Sequence, residues 1–160
     1  MKIQESDNAQ SELIRRHRRA RFVVIGFLVL DVVLVAIAFF AANFIYRPGD
    51  AAIIMGLWIA ILVFGLGAFV LRRTKFMAMR LKDIAAVKGI SALLKTLQDT
   101  TIQVASIGGA ITLMGFAITI RTSDWTNMLR AGGVAAIVLI YCYPFRSAWQ
   151  RALIQLAREA

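Results

Sequence analysis

A chain of 160 residues that is 59% hydrophobic, with a mean hydropathy of +0.70 and a formal net charge of +10, has the composition of a polytopic membrane protein, not of a soluble domain. Its single cysteine, Cys142, excludes an intramolecular disulfide and a cysteine-based metal or iron–sulfur centre within one chain, and its single histidine, His17, excludes a bis-histidine haem. A transmembrane β-barrel would need segments of about 10 residues with alternating polarity, and none occurs.

Crossing a hydrocarbon layer of roughly 30 Å takes about 20 apolar residues at a rise of about 1.5 Å each. Four blocks meet or approach that length: about 22–46, 51–71, 102–120 and 129–145. The expected fold class is therefore all-α, one domain over 1–160, with four transmembrane helices arranged as two antiparallel hairpins.

Residues 1–12 are polar and are expected to be disordered, with a helix starting at Glu12 and running into the first span. The apolar run that follows "RRHRRARF" exceeds the roughly 7–15 residues of a cleaved signal core, so an uncleaved signal anchor is expected. Glu5, Asp7 and Glu12 argue against a mitochondrial transit peptide.

Within this first span stands Asp31, ten residues past Arg21 and so about 15 Å above the inner boundary. An aspartate at mid-bilayer costs about 2.5–3.5 kcal/mol on insertion scales, which makes it a candidate functional residue. With no basic residue at its depth, its carboxyl is expected to be neutral and to share its proton with a hydroxyl. Thr112 is the first candidate partner, followed by Ser106 and Tyr141. The competing role is structural, a hydrogen bond between helices.

"YRPGD", residues 46–50, reads as a tight outer turn in which Pro48 fixes φ, Gly49 permits a positive φ and Asp50 caps the next helix. After the second span, residues 72–101 contain no proline and are rich in helix formers, so helices 2 and 3 are expected to extend into a cytoplasmic helical hairpin. "KGIS" supplies its expected break, with Gly89 ending one helix and Ser91 capping the next near Ala92. Phe76, Met77, Leu81, Ile84, Val87, Leu93, Leu94 and Leu97 are too many apolar residues to stay solvated there. They are expected to pack on each other, on the membrane interface or on a partner.

In the third span Gly108, Thr112, Gly115 and Thr119 form a small-residue stripe for close helix packing, and Gly132 with Ala136 forms a shorter one in the fourth. "SIGGAI" lacks the lysine and the strand–helix context of a phosphate loop. Trp125 and Tyr46 suit the outer interface. Beyond Pro144, the spacing of Phe145, Trp149, Ala152, Leu153 and Leu156 predicts an amphipathic C-terminal helix over the tail 146–160.

Sixteen of the nineteen basic residues fall in 1–21, 72–101 and 146–160, leaving Arg47, Arg121 and Arg130 for the opposite side. The positive-inside rule then places both termini in the cytoplasm of an inner-membrane protein. Arg15, Arg16, Arg18, Arg19 and Arg21 are expected to touch anionic lipid headgroups at about 1 kcal/mol each. Nucleic acid is not an expected partner, because no recognition fold or stacking aromatics adjoin the cluster.

No carboxylate pair, HExxH or serine–histidine pair lies in a span, so neither an enzyme nor a cofactor is expected. The expected role is that of an accessory, scaffold or assembly subunit, meeting other membrane subunits or further copies of itself. The rival is a small oligomeric transporter or channel subunit using Asp31. In outline, four spans with one acidic residue in the first resemble the small multidrug transporters. Those carry a glutamate and short loops, whereas this chain has an aspartate and a 30-residue connection.

Overall fold

A computed structural model describes the backbone of residues 2–75 and 78–145, and the side chains within those ranges apart from 2–9, 41–43, 45 and 78–90. Among the described residues the chain is all-helical, with four helices: α1 (Lys2–Ile45), α2 (Ala51–Lys75), α3 (Ala78–Thr122) and α4 (Trp125–Tyr141). Three of them, α1, α2 and α3, contain stretches long and apolar enough to cross a membrane. With 17 residues, α4 is shorter, about 25 Å of rise.

Helix α1 starts at Lys2, ten residues before the expected boundary at Glu12. Nothing in 2–12 breaks a helix, and the stretch is continuous with a strong apolar segment that propagates it. Residues 13–38 then bury one narrow seam, Leu13, Ala20, Val24, Asp31 and Ala38. His17, Val24, Asp31 and Ala38 recur every seven residues, the repeat of a coiled-coil contact line. Asp31 is thus a seam residue, placed inward by the same spacing that places Val24 and Ala38.

The break expected at Gly89 is not there: α3 runs without interruption from Ala78 to Thr122. One glycine costs a helix only about 1 kcal/mol, and strong helix formers flank it on both sides. Ser91 does not cap; its hydroxyl donates to Glu12 Oε1 at 2.9 Å. The helical boundary falls instead between Lys75 and Ala78, and Phe76 and Met77 lie outside the described residues. The side chains of Leu81, Ile84 and Val87, and the whole predicted tail helix over 146–160, also lie outside them.

Among the described residues, α1 and α3 pair at the basic end. They run parallel: Glu12 meets Ser91, Arg16 meets Gln98 and Asp31 meets Thr112, at sequence separations of 79, 82 and 81. Beside the polar contacts, Leu13 and Ala20 of α1 bury Leu93, Leu94 and Leu97 of α3 in a separate small core at the basic end.

Two antiparallel hairpins describe only half of the arrangement. α3 packs on α4, but α1 and α2, joined by residues 46–50, have almost no contact with each other. α3 packs against all three other helices, and α4 fills the gap beside α1 and touches α2. The small residues sit on α3 and α4, so both outer helices gain more by packing there than on each other. An added Cβ at Gly115 would collide with Ala131, at Gly108 with Leu139, and at Gly109 with the Phe27 ring.

The two turns opposite the basic end interlock. Arg47 N–H donates to Ile120 O at 2.9 Å, and a Cβ on Gly49 would lie 2.8 Å from Arg121 Cδ. Gly49 has no left-handed φ; glycine serves here because Arg121 packs over it. Asp50 Oδ1 accepts from Ala52 N, and Asp124 Oδ1 accepts from Thr126 N, so each down-running helix begins on an aspartate. The Thr126 hydrogen bonds hold the Asp124 carboxyl below its usual range. The left-handed residue is Ser123, φ 55°, where the chain leaves α3. α4 then starts at Trp125 and ends at Tyr141, because Pro144 disfavours a helical conformation at Tyr143 before it.

Replacing Gly115 with leucine is expected to cost about 1–3 kcal/mol, the range for overpacking. Gly67→Ala, where nothing lies within 4 Å, should cost nothing measurable. Denaturation of the two variants in detergent micelles distinguishes these outcomes.

Candidate functional site

The contact of α1, α3 and α4 encloses Asp31. Its residue exposure is 5%, and Thr112, facing it from α3, is 0% exposed. The Thr112 hydroxyl lies 2.9 Å from Asp31 Oδ1 and 3.3 Å from Gly108 O. The third wall is Gly132 of α4, where a Cβ would come within 3.1 Å of Asp31 Oδ1 and 3.3 Å of Val35 Cγ2. Glycine at 132 is thus what lets α4 close over the carboxyl.

Thr112 has one proton and two acceptors within reach. The hydroxyl donates to Asp31 Oδ1, the shorter contact at 2.9 Å, and lies 3.3 Å from Gly108 O, so one proton serves both the carboxyl of α1 and the backbone of α3. Through that hydroxyl Asp31 Oδ1 is tied to α3 inside the contact.

Of the other two candidate partners, neither reaches Asp31. Ser106 lies on an exposed position of α3. Tyr141, at the C-terminal end of α4, has its ring 4.5 Å from that of Phe69 and lies under the Arg72 guanidinium at 4.3 Å. Depth placed Thr112 first among the three hydroxyls, and helix rotation turns it, of the three, toward Asp31.

The packing stripe divides between two neighbours. Gly108 and Gly115 take Leu139 and Ala131 of α4, whereas Thr112 turns to α1. Thr119 is buried and donates to Gly115 O at 3.1 Å, and Ala136 is half-buried. Sequence reasoning missed Gly109, which admits Phe27; its signal was the doubled glycine in "SIGGAI", one residue for each neighbouring helix.

At the basic end the five arginines have different fates. Arg16 is bound to the protein: its guanidinium donates to Glu12 Oε1 at 2.7 and 2.9 Å and to Gln98 Oε1 at 3.3 Å. Arg15, Arg18, Arg19 and Arg21 are exposed. Arg16 and Ser91 together hold the Glu12 carboxyl below the ordinary 4.5. His17 Nε2 lies 2.7 Å from Pro144 O; a carbonyl only accepts, so Nε2–H is the donor and the segment after α4 is tied to α1.

Glu12 is bound in its charged form, so its contribution to the α1–α3 junction is complete above about pH 4.5 and is lost as pH falls through its depressed folded value. Amide hydrogen exchange in residues 10–21 should therefore rise at acid pH, and Glu12→Gln should flatten that dependence. In the apolar contact, Thr112→Val should cost about 0.6–1.7 kcal/mol in detergent denaturation. Asp31→Asn, which keeps an oxygen acceptor for Thr112, should cost less.

No protein-family model matches this chain, and no curated protein or solved structure gives a match to it.

Proposed function

We propose that the chain is an integral membrane accessory, scaffold or assembly subunit that acts through helix–helix association. The observation that carries this reading is the enclosure of Asp31. A carboxyl that serves as a carrier site must exchange protons or ions with water, whereas this one is buried between Thr112 and Gly132 and spends its hydrogen bond on a neighbouring helix. A buried polar pair of this kind fixes register, which is its best-attested use.

The surface supports the same reading. Within their apolar stretches α1 and α2 present apolar outward faces, with Phe22, Val32, Phe40, Met55, Leu62 and Leu66 each more than half exposed. Such faces suit lipid and neighbouring subunits or further copies of the chain. Sixteen of the nineteen basic residues fall in 1–21, 72–101 and 146–160, a distribution that by the positive-inside rule supports both termini in the cytoplasm of an inner membrane.

The rival, a small oligomeric transporter or channel subunit with a protonatable Asp31, predicts that Asp31→Asn abolishes proton-coupled flux in proteoliposomes. The association reading predicts that Asp31→Asn leaves any such flux unchanged. It also predicts that Gly132→Leu, which drives α4 off Asp31, reduces recovery of the native complex in mild detergent. Loss of flux in Asp31→Asn with the complex intact would reverse the assignment.

A further inference from the structure

Beside α1, at its basic end, a cavity of about 210 Å³ is lined by Leu13, Ile14, His17, Arg18 and Arg21. The floor is Leu13, 2% exposed and part of the small α1–α3 core. His17 is held in place by its bond to Pro144 O. Arg18 and Arg21 have no ion-pair partner among the described residues. The cavity thus offers two guanidinium groups, unpaired among the described residues, above an apolar floor.

What adjoins the cavity decides its ligand. Along α1, positions 14, 18, 21, 25, 29 and 32 follow one another at spacings of three and four, so they share a face. Below Phe22 that face is the cavity; above it stand Ile25, Val29 and Val32, exposed by 38%, 56% and 66%. A single stripe therefore passes from paired arginines to an open apolar track without changing side. A free anion would use only the first part of it, and a nucleic acid or acidic peptide would find no use for the second.

We infer that this stripe is a binding site for one anionic phospholipid, with Arg18 and Arg21 holding the phosphate and the face of Ile25, Val29 and Val32 receiving an acyl chain. The inference rests on the membrane reading and adds a specific place to it. Guanidinium groups suit a phosphate because their planar forks match its oxygens in pairs. The remaining exposed arginines, Arg15 and Arg19, lie on another face of the helix and contribute only to the general surface charge.

The test is retention of phosphatidylglycerol against phosphatidylcholine by the full chain in mixed micelles, read by native mass spectrometry. The double variant Arg18→Gln/Arg21→Gln should lose selectivity for phosphatidylglycerol by about thirtyfold. Arg15→Gln/Arg19→Gln, which removes the same charge, should leave it within about twofold of the parent. Ile14→Trp, which fills the cavity at constant charge, should lower it as well. Equal losses from both arginine pairs would reduce the site to diffuse surface charge and overturn the inference. Displacement of the lipid by millimolar inorganic phosphate alone would reassign the cavity to a soluble phosphate ligand. Resistance of the parent chain to alkaline extraction from membranes checks the membrane reading separately, so the two failures are distinguishable.

Discussion

Helix α3 alone packs substantially against all three other helices, and the rest of the molecule is arranged around that constraint. Its buried residues form two adjacent contact lines, one through Leu93, Leu97, Thr100, Val104, Ile111 and Ile118 and another through Leu94, Thr101, Ala105, Thr112 and Thr119. A helix serving three neighbours needs contact area on most of its circumference, and half of its apolar window is buried against 17% in α1 and α2. Small residues make this possible. Where Gly108, Gly109 and Gly115 stand, the partner's side chain comes up to the backbone itself, so dispersion contacts accumulate without any expulsion of water.

Apolar packing of this kind is strong but poorly directional, and register between two long parallel helices has to come from elsewhere. Two pairs of the same chemistry supply it. Near the basic end a carboxylate of α1, Glu12, receives a hydroxyl of α3, Ser91; deep in the apolar zone Asp31 is paired with Thr112. Their separations, 79 and 81, differ by only two residues over a length of nineteen in α1, as expected of two helices travelling side by side. A slip by one turn would part both pairs, and the cost falls mainly on the buried Asp31–Thr112 pair, about 1–3 kcal/mol for a buried polar group left unmatched. The same device is thus used twice in unlike surroundings: exposed and charged at one site, enclosed between helices at the other.

Much of this was legible in the chain because hydrophobicity is written in blocks. The four helices, the short outer turns and the basic end follow from block length and from where arginine and lysine fall. The pairing of helices did not follow. Short connections suggest that sequential helices pack, yet α1 and α2 turn their seams to α3 and α4. Local signals also misled at Gly89 and Ser91, a stop and a start by composition, where helix propagation and a distant partner for the serine prevailed. For Asp31, polarity identified the residue and depth reduced its partners to three; choosing Thr112 over Ser106 and Tyr141 required the rotation of α3 and α4. The seven-residue spacing of His17, Val24, Asp31 and Ala38 was present in the sequence and already carried the direction in which Asp31 points.

The parallel pairing of α1 with α3 has a consequence in time as well as in space. Ribosomes add about 5–20 residues per second, so Thr112, 81 residues after Asp31, is made roughly 4–16 s later. In a chain inserted as it is synthesised, α1 therefore enters the bilayer with its carboxyl exposed to lipid, and no hydroxyl of its own chain is there to receive it. Gly132 and the rest of α4 follow only after that. During this interval α1 is a helix with an unmatched polar group on an otherwise complete contact seam. Its seam is completed only when Thr112 of its own α3 arrives.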